Sequence, residues 1–245
     1  MGAKKIAAFH ALLVLSVALS GCISENNKSS YSNNDSMYEI PDYFEDGIFT
    51  CLEHDNLTRC WQTHVPETLD SSTPVPLIVD MHGFGSHSTE QRHMSSFDTI
   101  SEEEGFIVVY PDGDSSVDKL TGNTNQAWNA GWCCSHSVNE DIDDVGFIEK
   151  MIQVVIEKYN IDTNRIYASG WSNGCAMSQR LAMESSHIFA AVGCMAMYLL
   201  TEHTTTYSPI PVMEVHGFLD QVVLYESTVL SVPWNEEMWK NPEAY

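Results

Sequence analysis

The sequence predicts an α/β domain built on a mostly parallel central sheet with helices on both faces. Three observations carry this. Continuous apolar runs alternate with helical patterns from about Pro41 onward. Strands buried on both faces read as unbroken apolar runs, and strands separated by helices give parallel pairing. The third is a glycine-flanked serine, Gly170-Trp171-Ser172-Asn173-Gly174, set between a strand pattern and a helix pattern.

The elements follow in order. Pro76-Leu-Ile-Val-Asp-Met-His82 reads as a buried strand that stops at Gly83. Gly105-Phe-Ile-Val-Val-Tyr110 reads as a second, closed by Pro111-Asp112-Gly113. Asp143 to Tyr159 predicts a helix, because Val145, Ile148, Ile152, Val155 and Tyr159 fall on one face. Asp143 or Asp144 caps its start. Arg165-Ile-Tyr-Ala-Ser169 is the strand before the serine, and Asn173 to Glu184 the helix after it. Phe189 to Met195 and Pro211 to Val215 complete the strands. No internal repeat is visible.

The chain has 245 residues, a length suited to one large domain. Hydrophobic residues make up 43%, enough for a substantial core. Lys and Arg total 11 against 34 Asp and Glu, a formal charge of −23. That balance excludes nucleic acid as a partner, since phosphate binding needs a basic patch. It also disfavours docking on anionic lipid through the protein surface.

The N-terminus reads as an address. Lys4 and Lys5 precede an apolar run from Ile6 to Leu19, then Leu19-Ser20-Gly21-Cys22. This is the layout of an export signal, shorter than the roughly 20 residues of a spanning helix. Cys after Leu-Ser-Gly resembles a lipobox. Residues 1–21 are therefore expected to be a lipoprotein signal peptide, Cys22 the lipidated residue, 22–40 a flexible tether and 41–245 the folded domain. The expected location is a membrane-anchored lipoprotein at the cell surface or in the periplasm, with full secretion as the alternative. Asn27, Asn34 and Asn56 lie in Asn-X-Ser/Thr sequons.

Six further cysteines, at 51, 60, 133, 134, 175 and 194, form an even set suited to disulfides in an oxidising compartment. Cys51 and Cys60 are close enough to staple a hairpin. Cys133 and Cys134 are adjacent, and the expectation is that each bridges to a separate partner. The spacing of Cys and His carries no zinc motif, so no metal is expected.

A strand–Gly-x-Ser-x-Gly–helix segment is the context of a nucleophile elbow. The tight turn presents the Ser172 hydroxyl at the carboxyl edge of the sheet and sets the Asn173 N–H at a helix N-terminus, where it can stabilise an oxyanion. Small residues are needed wherever the chains approach. A second donor is expected from Met81-His82-Gly83-Phe84-Gly85-Ser86, with the Phe84 N–H first and Gly85 as the alternative; His82 is expected to hold this loop. An acid should follow the serine, and Asp220 in His216-Gly217-Phe218-Leu219-Asp220 stands just past a strand end. None of the ten histidines follows Asp220. His216 is close to Asp220 on the same strand end, and His136 and His203 precede the acid. The chain reaches Tyr245 soon after a helix-like Pro233 to Trp239, so the expectation is that a last strand and its histidine loop lie beyond this sequence.

These pieces resemble the secreted polyhydroxyalkanoate depolymerases and feruloyl esterases of the α/β-hydrolase fold. The resemblance runs from about Thr63 to Val223. It is carried by Val79 to Gly85, Tyr110 to Gly113, Trp128-Asn-Ala-Gly-Trp-Cys-Cys134, Asp141 to Ile148, Gly170 to Gly174 and His216 to Asp220. It implies Ser172 as nucleophile, Asp220 as triad acid and a base histidine on a loop near the C-terminus. It also implies cofactor-free cleavage of carboxylic esters, in polyesters or in hydroxycinnamate-decorated polysaccharide, with no obligate protein partner. Trp128, Trp132 and Trp171 are expected either to line an aromatic acyl pocket or to pack the core. Two other readings stand beside the esterase: a non-catalytic binding lipoprotein on the same scaffold, and a serine hydrolase like the prolyl peptidases.

Overall fold

A computed structural model describes residues 49–117, 124–201 and 208–225. The signal peptide at 1–21, Cys22, the tether at 22–40, Asn27, Asn34, His203 and the helix-like run at 233–239 lie outside the described residues.

The described residues begin with an antiparallel hairpin, β1 (Phe49–His54) and β2 (Leu57–His64). Asp55 and Asn56 turn it with φ of 49° and 64°. Two positive φ values in a two-residue loop match the right-handed twist of the strands. Cys51 faces Cys60 across this hairpin and pairs with it, as their spacing suggests.

The remaining elements are β3 (Val75–Met81), α1 (Ser88–Ser95), α2 (Phe97–Glu104), β4 (Ile107–Pro111), β5 (Asp114–Val117), β6 (Thr124–Ala127), α3 (His136–Asn139), α4 (Asp144–Lys158), β7 (Ile161–Trp171), α5 (Asn173–Glu184), β8 (Ala191–Met195) and β9 (Val212–Val215). Among the described residues seven strands form one sheet in the order β1-β2-β4-β3-β7-β8-β9, and β5 and β6 form a small separate ribbon. From β4 to β9 every pairing is parallel; β1 and β2 join antiparallel at one edge.

The core follows from the apolar runs. Leu77, Val79, Met81, Ile107, Val109, Ile166 and Ala168 on the three central strands are essentially inaccessible. Each such side chain contributes on the order of 1.5–3 kcal/mol by leaving water. Helix α4 buries Phe147, Ile148, Met151, Ile152 and Val155, with Val145 and Tyr159 packed at the margin. Of its two candidate caps, Asp143 takes the role, accepting from the Gly146 N–H at 2.9 Å. Asp144 is instead buried and paired with Arg59 at 2.6 Å.

The expectation for Cys133 and Cys134 is corrected: they pair with each other, across a cis peptide bond. Cys175 pairs with Cys194 and Cys51 with Cys60, which leaves the adjacent pair no outside thiol among the described residues. Their loop is folded tightly, with Ala130 N donating to Cys133 O and Cys134 N to Trp128 O.

Candidate active site

The sheet order places β3 between β4 and β7. Connections leave β3 in opposite directions there, and a crevice opens at the carboxyl ends of such strands. Met81 is level with Gly170, so the loop after β3 and the turn after β7 emerge side by side.

Ser172 sits in that turn with φ 53° and ψ −121°, at the N-cap of α5. This is a positive-φ conformation that L-residues rarely hold, costing on the order of 1–3 kcal/mol. The surroundings enforce it. The Ser172 N–H donates to Met195 O at 2.9 Å, and Cys175 and Ala176 donate back to Ser172 O at 2.8 and 3.1 Å. A Cβ at Gly170 would stand 2.5 Å from the Gly174 carbonyl. One at Gly174 would strike the Met81 carbonyl and stand 2.6 Å from that of His82. Gly83 lies 3.4 Å from Ser172 Cβ by the same measure. The glycines therefore let three backbone segments meet around the serine. Ser172 is half-buried, and its hydroxyl has no hydrogen-bond partner among the described residues.

Two candidate donor amides belong to the segments that leave β3 and β7 side by side. Asn173 is the first residue of α5, so its N–H has no carbonyl one turn earlier to accept it. Its side chain is buried and locked: Oδ1 accepts from Trp128 N at 2.8 Å, and Nδ2 donates to Trp128 O at 3.1 Å. In the loop after β3, the Gly85 N–H donates to Gln126 O at 2.8 Å. Of the two expected donors, Gly85 is thus committed to β6, while the Phe84 N–H has no acceptor among the described residues.

His82 holds this loop, as expected. Its Nδ1 donates to Gly83 O at 2.7 Å, and its Nε2 accepts from Gly113 N at 2.9 Å. Burial pushes its pKa down to about 3, so the ring stays neutral and structural.

The tryptophans separate. Trp128 is wholly buried, and its Nε1 donates to His82 O at 2.9 Å. Its expected place in an acyl pocket is corrected: a ring closed off from solvent braces the site from beneath, joining the His82 loop to Asn173. Trp132 is half-buried, with its backbone N–H on Leu200 O at 3.0 Å. Trp171 is 42% exposed beside Ser172, its ring over Gly83.

Asp220 follows β9. Its Oδ1 accepts from Val222 N and Val223 N at 2.8 and 2.9 Å, which leaves Oδ2 turned toward His216 Nε2 at 3.6 Å. His216 does not offer a base. Its Nδ1 faces Glu214 at 3.1 Å, its Nε2 faces Val223 O at 2.7 Å, and its ring stacks on Tyr198. His136 is paired with Asp114 at 2.7 Å. Among the described residues no histidine bonds the Ser172 hydroxyl.

Two contributors escaped sequence reading. Gln126, through its carbonyl, selects which loop amide stays free. Arg59 and Asp144 form a buried pair, and Asp144 Oδ2 also accepts from Asn129 N at 2.7 Å, fixing the start of the Trp128 loop. Burial pushes the Asp144 carboxyl up, and Arg59 opposes that shift.

Comparison with known proteins places the chain in a family. Residues 60–235 match the family described as esterase PHB depolymerase, and the chain belongs to that family, on the α/β-hydrolase fold. Among curated relatives, feruloyl esterase B of Piromyces equi is 28% identical over 172 residues, covering 68% of this chain and 30% of that protein. The bifunctional acetylxylan esterase/xylanase XynS20E of Neocallimastix patriciarum is 26% identical over 151 residues, covering 62% of this chain and 20% of that one. The match thus spans less than a third of either relative. A solved thermostable esterase superposes with a TM-score of 0.50 at 19% identity, over 72% of this chain and 48% of that one, a likeness in fold.

Proposed function

We propose that the protein is an exported serine esterase acting on carboxylic esters through an acyl-enzyme. The observation that carries this is the strained Ser172 at the start of α5, its hydroxyl without a partner among the described residues; in this reading the Asn173 and Phe84 amides are the oxyanion donors. Ser172 Oγ attacks the ester carbonyl carbon as the base histidine that the family resemblance implies takes its proton and later returns it to the departing alcohol oxygen. The carbonyl oxygen takes the negative charge and is held by the two N–H groups. The intermediate collapses, the C–O bond to the alcohol breaks, and water then releases the acid from Ser172. Asp220 is the acid that orients the base. The substrate class is a hydroxyalkanoate-type polyester or a hydroxycinnamoyl ester of polysaccharide; feruloyl esterase B among the relatives favours the second. Trp171, exposed beside the nucleophile, is the ring best placed to meet an apolar acyl group. No cofactor is needed for this chemistry.

The test is labelling by a fluorophosphonate and hydrolysis of a nitrophenyl acyl ester by the full chain. Ser172→Ala should abolish both, with turnover lower by about 10⁴–10⁶. A second reading, a binding protein on the same scaffold, is favoured by the lack of a histidine on Ser172 among the described residues. Equal behaviour of wild type and Ser172→Ala in both assays would select it. In either reading Cys22 carries lipid and anchors the chain after export. The three disulfides support an oxidising compartment. Incorporation of an alkyne fatty acid, lost in Cys22→Ser, checks the anchor.

A further inference from the structure

On the far side of α4 from its buried face, the β1–β2 hairpin turn meets the first turn of that helix. His54 ends β1, Asp55 opens the turn, and Asp143 caps α4. Asp143 divides its carboxylate: Oδ1 accepts the Gly146 N–H at 2.9 Å, and Oδ2 faces His54 Nε2 at 3.0 Å. Asp55 Oδ2 approaches the same nitrogen at 4.0 Å. The three donor atoms lie within 4.8 Å of one another, and no other such trio occurs among the described residues. We propose that His54 Nε2, Asp55 and Asp143 form a site for a divalent transition-metal ion of the zinc class, tying the hairpin to α4.

Local backbone is arranged to bring the donors together. Positive φ at Asp55 and Asn56 makes the tight turn that sets Asp55 beside His54. Gly146 leaves room for the Asp143 carboxylate: a Cβ there would strike Oδ2 and stand 3.0 Å from His54 Cε1. Donor chemistry selects the ion. One imidazole nitrogen with two carboxylate oxygens, and water in the remaining positions, suits Zn²⁺ or Co²⁺. Ca²⁺ and Mg²⁺ prefer sites of oxygen alone. The protein's formal charge of −23 favours cations in general, while two local features oppose them. Lys150 donates to Glu53 O nearby, and the helix N-terminus carries partial positive charge. Affinity therefore rests on the trio. This site departs from the expectation of no metal, because its ligands are 88 residues apart in sequence between Asp55 and Asp143 and form no spaced motif.

The test uses the full, tag-free chain stripped with chelator. Co²⁺ titration should give saturable d–d absorption displaced by Zn²⁺. Zn²⁺ near 100-fold over its Kd should raise Tm by about 5–10 °C, with Mg²⁺ and Ca²⁺ inert. Asp143→Asn retains a capping residue and Asp55→Asn suits the turn, so both variants fold. Each should weaken binding more than about tenfold, and His54→Gln should abolish it. Absence of saturable Co²⁺ binding in the wild type would overturn the assignment. So would equal affinity in wild type and all three variants. Neither result bears on Ser172, whose labelling is read separately.

Discussion

Asp80 should make the stability of this protein fall as pH rises from 5 to 8. It lies near the carboxyl end of β3, wholly buried beneath α1. Gln91 Nε2 donates to its Oδ1 at 3.0 Å, but Oδ2 and Gln91 Oε1 have no partner. Burial raises its pKa to about 6, against 3.8 in the ordinary case, and the nearby polar side chains of Ser95, Gln91 and Ser169 only partly offset this. Two pH units at 1.36 kcal/mol each give about 3 kcal/mol. The sign follows from which state gives up its proton first. Below about pH 4 both folded and unfolded chains hold it, and there is no penalty. Between the two pKa values the unfolded chain ionises first and stability falls. Above pH 6 the whole cost is present.

Asp80→Asn removes the ionisation and puts a donor in place of the unpartnered Oδ2, in a pocket where Gln91 Oε1 is an unpartnered acceptor. Relative to wild type it should gain about 1.5 kcal/mol at pH 5 and about 3 kcal/mol at pH 8. Urea unfolding at each pH, with equal m-values, reads this as a widening gap in midpoint. A gap that stays constant between pH 5 and 8 would refute the argument, since a purely steric or packing effect of Asn does not titrate.

Three further outcomes follow from the site. Gly174→Ala places a methyl against two backbone carbonyls that cannot yield, and should cost more than about 2 kcal/mol and abolish fluorophosphonate labelling; a thermal scan and a labelling gel check both. Trp128→Phe removes the indole bond and leaves the His82 carbonyl unpaired in the core, for a loss of about 1–3 kcal/mol in urea unfolding. Arg59→Met strands the buried Asp144 carboxylate and should cost about 3–5 kcal/mol, partly recovered in the double variant Arg59→Met/Asp144→Leu; wild-type stability in the single variant would contradict the pairing.

Much of the site was legible because its residues act through local chain geometry. A strand, a serine between glycines and a helix can be read within residues 165–184, and the turn that holds Ser172 and the span of α5 from Asn173 follow that reading. The cap of α4 and the holding role of His82 were legible for the same reason. What escaped depends on distant pairing. Helix α1, Ser88–Ser95, carries Thr, Glu, Gln, Arg and His with no apolar stripe, so periodicity is silent there. Strand β6 is polar, and its Gln126 carbonyl matters only after the sheet brings it to Gly85. Trp128 reads equally as pocket or core until its indole finds His82. The antiparallel edge hides Arg59 and Gln62 within a strand whose burial has no clean alternation.

The same contacts that set the sheet register also set the site. Gly170 and Gly174 bring β7 and α5 against the end of β3, and a larger residue at either would part the strands that hold Ser172 in its unfavourable conformation. The cost of that conformation, about 1–3 kcal/mol, is met by bonds lying within the elbow itself. Met195 accepts the serine amide, and its neighbour Cys194 is bonded to Cys175, one turn after the serine. Strand β8 is therefore tied to the elbow both by hydrogen bond and covalently. Relaxing Ser172 to an ordinary helical or extended conformation would require β8 to shift, and with it the pairing of β8 to β7 and β9. Strain at one residue persists because its release would cost several strand contacts, so the poised serine is a property of the folded sheet as a whole.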